Sequence, residues 1–386
     1  MKKTTVLISK FILVISLTFS AMANAQQLTE PCDVKATKET RSLYSSLQRL
    51  MGSAILFGHH DDTAYGINWR NQPDSSDVKS VSGSYPAIYG WDLAKIEHDS
   101  TADINGVAFA DQRRLVKEAY QRGGINTFCW HADNPVNGKT AWDTTANSVK
   151  DILPDGSYHD VYVKYLEKVA KYLKSLKGKD GEAIPILFRP FHELTGGWFW
   201  WGTKTTSPQE LIDLWRFTID YLRKKQKVHN LLVVYSTADF NTEEEFLERY
   251  PGDDYVDVMG FDLYCDKSVP DYVIRLDKQL QILQTAAGDH QKLACLAETG
   301  YQGIPSSEWW TKILLPELIK YNRLSYVMAW RNANQEHYFV PIPGHQSAAD
   351  FKRFANDSHI LLQNRLSPLS VYGKALQPLT AGKDYR

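Results

Sequence analysis

Ile184-Pro185-Ile186-Leu187-Phe188-Arg189-Pro190-Phe191-His192-Glu193 is a short apolar run that breaks off into polar and aromatic residues. A run of that length with such an end reads as a buried strand. Seven more runs share the pattern: Ala54 to Phe57, Ala87 to Tyr89, Ile125 to Trp130, Leu231 to Tyr235, Val256 to Met259, Leu293 to Ala297 and Tyr326 to Trp330. Helix-like stretches fill several of the gaps. Leu43, Leu47 and Leu50 form one apolar stripe, and Tyr162, Tyr165, Leu166, Val169 and Leu173 form another. Ser207-Pro208-Gln209-Glu210 reads as a cap with proline at the first helical position. Strands alternating with helix-length segments specify βα units and a parallel sheet. Eight of them fit an α/β fold, a single-domain (β/α)8 TIM barrel. A doubly wound sheet would call for a glycine fingerprint after a strand, and none is present.

The chain of 386 residues is 43% hydrophobic with a net charge of -1, an ordinary globular composition that gives no basic surface for nucleic acid. Residues 1–25 read as a signal peptide: Lys2 and Lys3, an apolar stretch from Phe11 to Phe19, then Ala23-Asn24-Ala25. That stretch is shorter than the ~20 residues a membrane span needs. Residues 26–386 are then the barrel domain, exported to the periplasm or the medium, not inserted in a membrane, and monomeric. Cys32 is too far from the cleavage point for a lipid anchor. The four cysteines show no metal spacing, and Cys129 and Cys295 read as buried thiols. No cofactor motif is present.

Barrels of this kind carry their chemistry where the strands finish. Those ends offer His59-His60-Asp61-Asp62, Trp91-Asp92, Trp130-His131, Glu193, Asp262 with Tyr264, Glu298, and Trp330-Arg331. Glu193 and Glu298 follow the fourth and seventh runs, which lie across a barrel mouth from each other. A glutamate beside a buried strand is costly unless it works. Two carboxyls about 5–5.5 Å apart are what a retaining glycosidase needs, one to protonate the leaving oxygen and one to attack. Gly197-Trp198-Phe199-Trp200-Trp201-Gly202 sets aromatic rings beside Glu193, and indoles stack on the C–H faces of sugars. Trp198, Trp142 and Trp330 are assigned to the cleft, and Trp215, Trp309 and Trp310 to packing. Asp61 and Asp62 read as structural residues of the first loop.

Arg189-Pro190-Phe191-His192-Glu193 with Gly197 to Gly202, Gly260-Phe261-Asp262-Leu263-Tyr264, Ala297-Glu298-Thr299-Gly300 and Ala329-Trp330-Arg331 together resemble glycoside hydrolase family 26. The resemblance spans nearly all of residues 26–386. It implies a retaining β-mannanase cleaving β-1,4 linkages in mannan, galactomannan or glucomannan, endo-acting or releasing mannobiose. It implies Glu193 as acid/base and Glu298 as nucleophile. His192 and Tyr264 would hold the first sugar and the nucleophile, Trp198 and His131 would line that subsite, Asp262 and Trp330 would shape its surroundings, and Arg331 would bind the second sugar. Xylan and mixed-linkage glucan are alternative substrates within the same resemblance. Two rivals lie outside it. A metal-dependent hydrolase is prompted by His59-His60-Asp61-Asp62 but lacks ligand spacing elsewhere. A non-catalytic glycan-binding protein has no need of two strand-end glutamates.

Overall fold

The computed structural model describes residues 29–144 and 147–373. Residues 1–25, read as a signal peptide from the sequence, therefore lie outside the described residues. Eight parallel strands run Ile55–His60 (β1), Ile88–Asp92 (β2), Ile125–Cys129 (β3), Ile186–Arg189 (β4), Leu231–Thr237 (β5), Val258–Tyr264 (β6), Leu293–Gly300 (β7) and Leu324–Ala329 (β8). Each pairs with the next, and β8 pairs back on β1, with Leu56 opposite Tyr326 and His59 opposite Ala329. The sheet is thus a closed (β/α)8 barrel, as the eight runs predict. A short added strand, Ile360–Leu361, pairs with the start of β1.

Several strands extend further towards their C-terminal ends than the apolar runs. His59 and His60, Asp92, Arg189, Asp262 and Glu298 all lie inside strands. Hydropathy ends a strand at its last apolar residue, whereas the backbone ladder continues through polar residues if the barrel mouth can receive them. Arg189, Asp262, Tyr264 and Glu298 therefore sit on sheet rather than on loops, which fixes their positions more tightly.

Leu187, Leu232, Val234, Val258, Leu293, Cys295, Ala297, Tyr326 and Met328 belong to one buried apolar cluster that fills the barrel. Leu43, Leu47 and Leu50 of helix Lys38–Leu50 join it. A larger cluster lies between the sheet and the outer helices. The longest of these are Val269–Asp289 and His159–Ser175, followed by Phe109–Gln121 and Pro208–Asp220. Helix Pro208–Asp220 opens on a full capping box: Ser207 accepts from the Glu210 N–H and Glu210 accepts from Ser207. Such a cap contributes about 1 kcal/mol. Only short helices follow β5 and β7. Among its described residues, the polar loop at 131–157 carries one short helix, Ser148–Ile152. All four cysteines are free. Among the described residues no helix is long and apolar enough to cross a membrane.

Candidate active site

The C-terminal mouth of the barrel is built on one buried cation. Arg189, the last residue of β4, points inward and is 1% exposed. It donates to Asp262 Oδ2 at 2.6 Å and to Glu298. Asp262 also accepts from the Ser236 hydroxyl at 2.9 Å, and Glu298 accepts from the Tyr264 hydroxyl at 2.7 Å. Three strands, β4, β6 and β7, thereby converge on one charge. A buried guanidinium with two carboxylates meets its desolvation cost only if every partner is in place.

Glu298 reaches this mouth because β7 breaks its alternation. Phe261 of β6 stands opposite Leu296 and Asp262 opposite Glu298, which leaves Ala297 without a counterpart. On the other side, Val327 faces Leu296 and Ala329 faces Thr299. Ala297 is part of the barrel filling. A regular strand would send the next residue outward. The bulge lets Glu298 face the mouth as well, a use of bulges common beside active sites. Thr299 then resumes the outward direction, bonded to Tyr272 of helix Val269–Asp289 at 2.6 Å.

Glu193 comes from the turn after β4. Phe191 and Glu193 both take left-handed backbone conformations, at φ 49° and 52°. A non-glycine residue held there stores about 1 kcal/mol or more, and such residues gather at functional sites. The turn is braced from behind. Trp201 donates its indole N–H to the His192 carbonyl at 2.9 Å, and Trp200 donates to the Ala132 carbonyl at 2.9 Å. Gly202 is required here, because a Cβ would lie 2.2 Å from the Gly196 carbonyl oxygen. Of the aromatic residues that follow Glu193, Phe199, Trp200 and Trp201 are thus buried struts. Trp198 is 44% exposed and donates to Glu193 Oε2 at 2.6 Å. Trp142 is 47% exposed and stacks on His131 at 5.2 Å. Trp330 is half-buried. Trp215, Trp309 and Trp310 are fully buried.

One oxygen each of Glu193, Asp262 and Glu298 lies within 4.8 Å of the others. Two of the three, Asp262 and Glu298, are paired with Arg189. Burial first, and the charge of Glu298 second, hold Glu193 up at about 7. It therefore keeps a proton near neutrality while Glu298 is bonded to a guanidinium and a phenol. Two carboxyls with different environments divide acid and nucleophile roles between them.

The histidines form a second line. His131 Nδ1 lies 2.5 Å from Asp92 Oδ2, and His131 Nε2 lies 3.1 Å from His192 Nε2. Burial opposes the charge on His131, but the carboxylate of Asp92 prevails and raises its pKa. Despite burial, His131 and backbone donors hold Asp92 down at about 2. Burial and the charge of His131 keep His192 neutral. When His131 is protonated, its Nε2–H donates to His192.

The structure thus brings Glu193, Glu298, His131, His192, Trp198, Tyr264 and Trp330 to one mouth. Asp262 differs from the rest. It is 3% exposed and both its oxygens are taken up, so it holds Arg189 instead of meeting a ligand. Arg331 lies to one side and donates to the Tyr65 hydroxyl at 3.2 Å. Beside it is a hollow of about 650 Å³ between the 65–70 hairpin and residues 333–336. Sequence reasoning gave no role to Arg189, Asp92 or Tyr65. Asp92 and Arg189 stood at strand ends and carried a signal; Tyr65 carried none.

A family model for glycosyl hydrolase family 26 matches residues 32–346. A mannan endo-1,4-beta-mannosidase of Bifidobacterium adolescentis is 34% identical over 358 residues, 86% of this chain and 35% of that protein. The chain thus spans about a third of that relative's length. Another mannan endo-1,4-beta-mannosidase, from Bacillus subtilis, is 27% identical over 86% of this chain and 89% of its own. Among solved structures, a GH26 beta-mannanase from Bacteroides ovatus is 44% identical with a TM-score of 0.85, covering 87% of this chain and 98% of that one. GH26C from a Muricauda species is 34% identical with a TM-score of 0.81, covering 89% and 95%.

Proposed function

The chain belongs to glycosyl hydrolase family 26, and on that premise we propose that it is a retaining β-1,4-mannanase acting on mannan, galactomannan or glucomannan. The observation that carries this reading is the pair Glu193 and Glu298, with oxygens within 4.8 Å and unlike surroundings. That separation suits attack by a carboxylate rather than by a water held between two carboxyls.

Glu298 attacks the anomeric carbon while the proton of Glu193 goes to the leaving oxygen. The C–O bond of the glycoside breaks and an ester to Glu298 forms. Esterification removes the charge of Glu298, so Glu193, now a carboxylate, takes the proton of an incoming water. Water attacks the anomeric carbon, the ester bond breaks, and both glutamates return to their starting states. Arg189 and Tyr264 stabilise Glu298 as an anion before attack and as the leaving carboxylate afterwards. Trp198 and Trp142 offer their exposed faces to the sugar, and His131 with His192 lines the floor. The similarity to enzymes named for mannan supports the choice of sugar.

Hydrolysis of mannohexaose followed by NMR tests the reading. The first-formed product is the β-anomer; an initial α-anomer refutes the double displacement. The same time course on intact mannan separates endo action, a mixed ladder, from release of mannobiose alone. Export directed by residues 1–25 and a monomeric enzyme with glycan as its only partner complete the proposal. Its features are those of Lys2 to Ala25. N-terminal sequencing of protein from the culture checks the cleavage, and sedimentation checks the monomer.

A further inference from the structure

His59-His60-Asp61-Asp62 takes no part in the chemistry above, yet it is among the most buried polar stretches of the chain. It lies beside Trp330-Arg331 because β1 and β8 close the barrel. His59 stands opposite Ala329, so His60 and Asp61 come next to Trp330 and Arg331. His60 is 1% exposed and packs its ring on Trp330, with centroids 4.2 Å apart and planes at 30°. Neither of its ring nitrogens has a hydrogen-bond partner among the described residues. It fits only because residue 90 is glycine: a Cβ there would come within 2.7 Å of His60 Nδ1. Asp61 Oδ2 accepts from the Tyr65 hydroxyl at 2.6 Å and from Asn105 at 2.9 Å. That hydroxyl, its proton given to Asp61, accepts in turn from Arg331.

We propose that the end of β1 is a brace for the sugar-gripping end of β8, in which His60 sets the plane of Trp330 and Asp61, through Tyr65, sets the guanidinium of Arg331. These are positioning residues, and the idea rests on the mannanase reading and on Arg331 meeting the second sugar. The hydroxyl of Tyr65 can point only one lone pair at Arg331 while its proton is held by Asp61. Losing that hydroxyl frees a long, flexible side chain to leave its place. His60 works by its flat face, since its nitrogens make no hydrogen bond among the described residues, Nε2 lying 3.6 Å from Asp61 Oδ2.

The test compares two activated aryl β-glycosides, one carrying mannose and one carrying mannobiose. In the wild type the mannobioside has the higher kcat/KM. Tyr65→Phe lowers kcat/KM on the mannobioside about ten-fold, through KM, and leaves the mannoside unchanged. Unchanged turnover of the mannoside also shows that the variant is folded. Arg331→Ala gives a similar selective loss, and adding Tyr65→Phe to it costs nothing more. His60→Phe, which keeps a flat ring, retains activity on both substrates, whereas His60→Ala loses on both. Equal losses on the two substrates for Tyr65→Phe, additive losses with Arg331→Ala, or a His60→Phe as impaired as His60→Ala would overturn the brace. A wild type that hydrolyses neither substrate refutes the mannanase reading and takes the brace with it. A wild type that prefers the mannobioside, with a ratio indifferent to Tyr65→Phe, refutes the brace alone.

Discussion

Replacing Glu298 by glutamine removes one negative charge and leaves the shape of the site nearly intact. Its effect on Glu193 can be worked out from the geometry. Glu193 stands at about 7, above its ordinary 4.5, through burial first and the Glu298 charge second. The two carboxylates approach within 4.8 Å. Two unit charges ~5 Å apart in an effective dielectric of about 20 repel by about 3 kcal/mol, equivalent to about two pH units. Arg189 already offsets part of the charge on Glu298, and the burial of Glu193 does not change. The expected result is a fall of about one pH unit in the Glu193 midpoint. Glutamate labelled with carbon-13 at the carboxyl gives the assay, an NMR titration of wild type and Glu298→Gln, with Glu193→Gln to assign the signal. A midpoint that stays put in Glu298→Gln refutes the charge coupling. A wild-type midpoint already near 4.5 refutes the raised proton affinity altogether. The variant also mimics the esterified enzyme, in which position 298 is neutral. A fall in Glu298→Gln is therefore the same event that turns Glu193 from acid to base during turnover.

Four further outcomes follow from the site. Between pH 4.5 and 7 the folded protein keeps a Glu193 proton that the unfolded chain releases, so stability falls as pH rises through that window. Glu193→Gln removes that penalty and should gain up to ~3 kcal/mol at pH 8 and almost nothing at pH 4; urea melts with a pH-independent gain would contradict this. Trp198→Phe deletes a hydrogen bond that favours the ionised form of Glu193, so the alkaline limb of the kcat profile should move to higher pH; a move to lower pH rejects the assignment. Tyr264→Phe should lower kcat about 10- to 100-fold with a small change in stability, because only the bond to Glu298 is lost; steady-state kinetics beside a denaturant melt decide it. Arg189→Ala leaves Asp262 and Glu298 buried without their cation and should destabilise by about 3–5 kcal/mol. A loss below about 1 kcal/mol in the same melts would mean that the charge cluster is not the keystone described.

The barrel was legible in the sequence because its strands are apolar enough to stand out from the helices between them. The strand ends were not, since His60, Asp92, Arg189 and Glu298 are polar residues that continue the ladder. Glu193 and Glu298 could be singled out by position alone. The resemblance supplied Tyr264 as a partner of Glu298, but the cation could not be found, because Arg189 and Glu298 lie 109 residues apart and meet only across the closed sheet. The aromatic cluster after Glu193 suggested stacking surfaces, and packing divides it: Trp198 is open, while Trp200 and Trp201 hold the turn. Position sorted Trp198 from the distant Trp215, Trp309 and Trp310, but nothing in a linear pattern shows that its neighbours Trp200 and Trp201 brace the backbone. Asp262 illustrates the same limit, since its place at the mouth could be read but not that its two oxygens go to Arg189 and Ser236.

The extra residue in β7 has a practical meaning for anyone moving this chemistry to another scaffold. Copying the side chains of Glu193, Glu298, Arg189 and Tyr264 onto a regular eight-stranded barrel would point the grafted nucleophile at the outer helices. Deleting Ala297 here should instead restore a regular strand, with Leu296 outward, Glu298 still inward opposite Asp262, and only the Ala297 methyl lost from the barrel filling. The unit to be inherited or transplanted is therefore the carboxylate in its register opposite Asp262, and an alignment that closes the one-residue gap would misplace the reactive atom while appearing to improve the match.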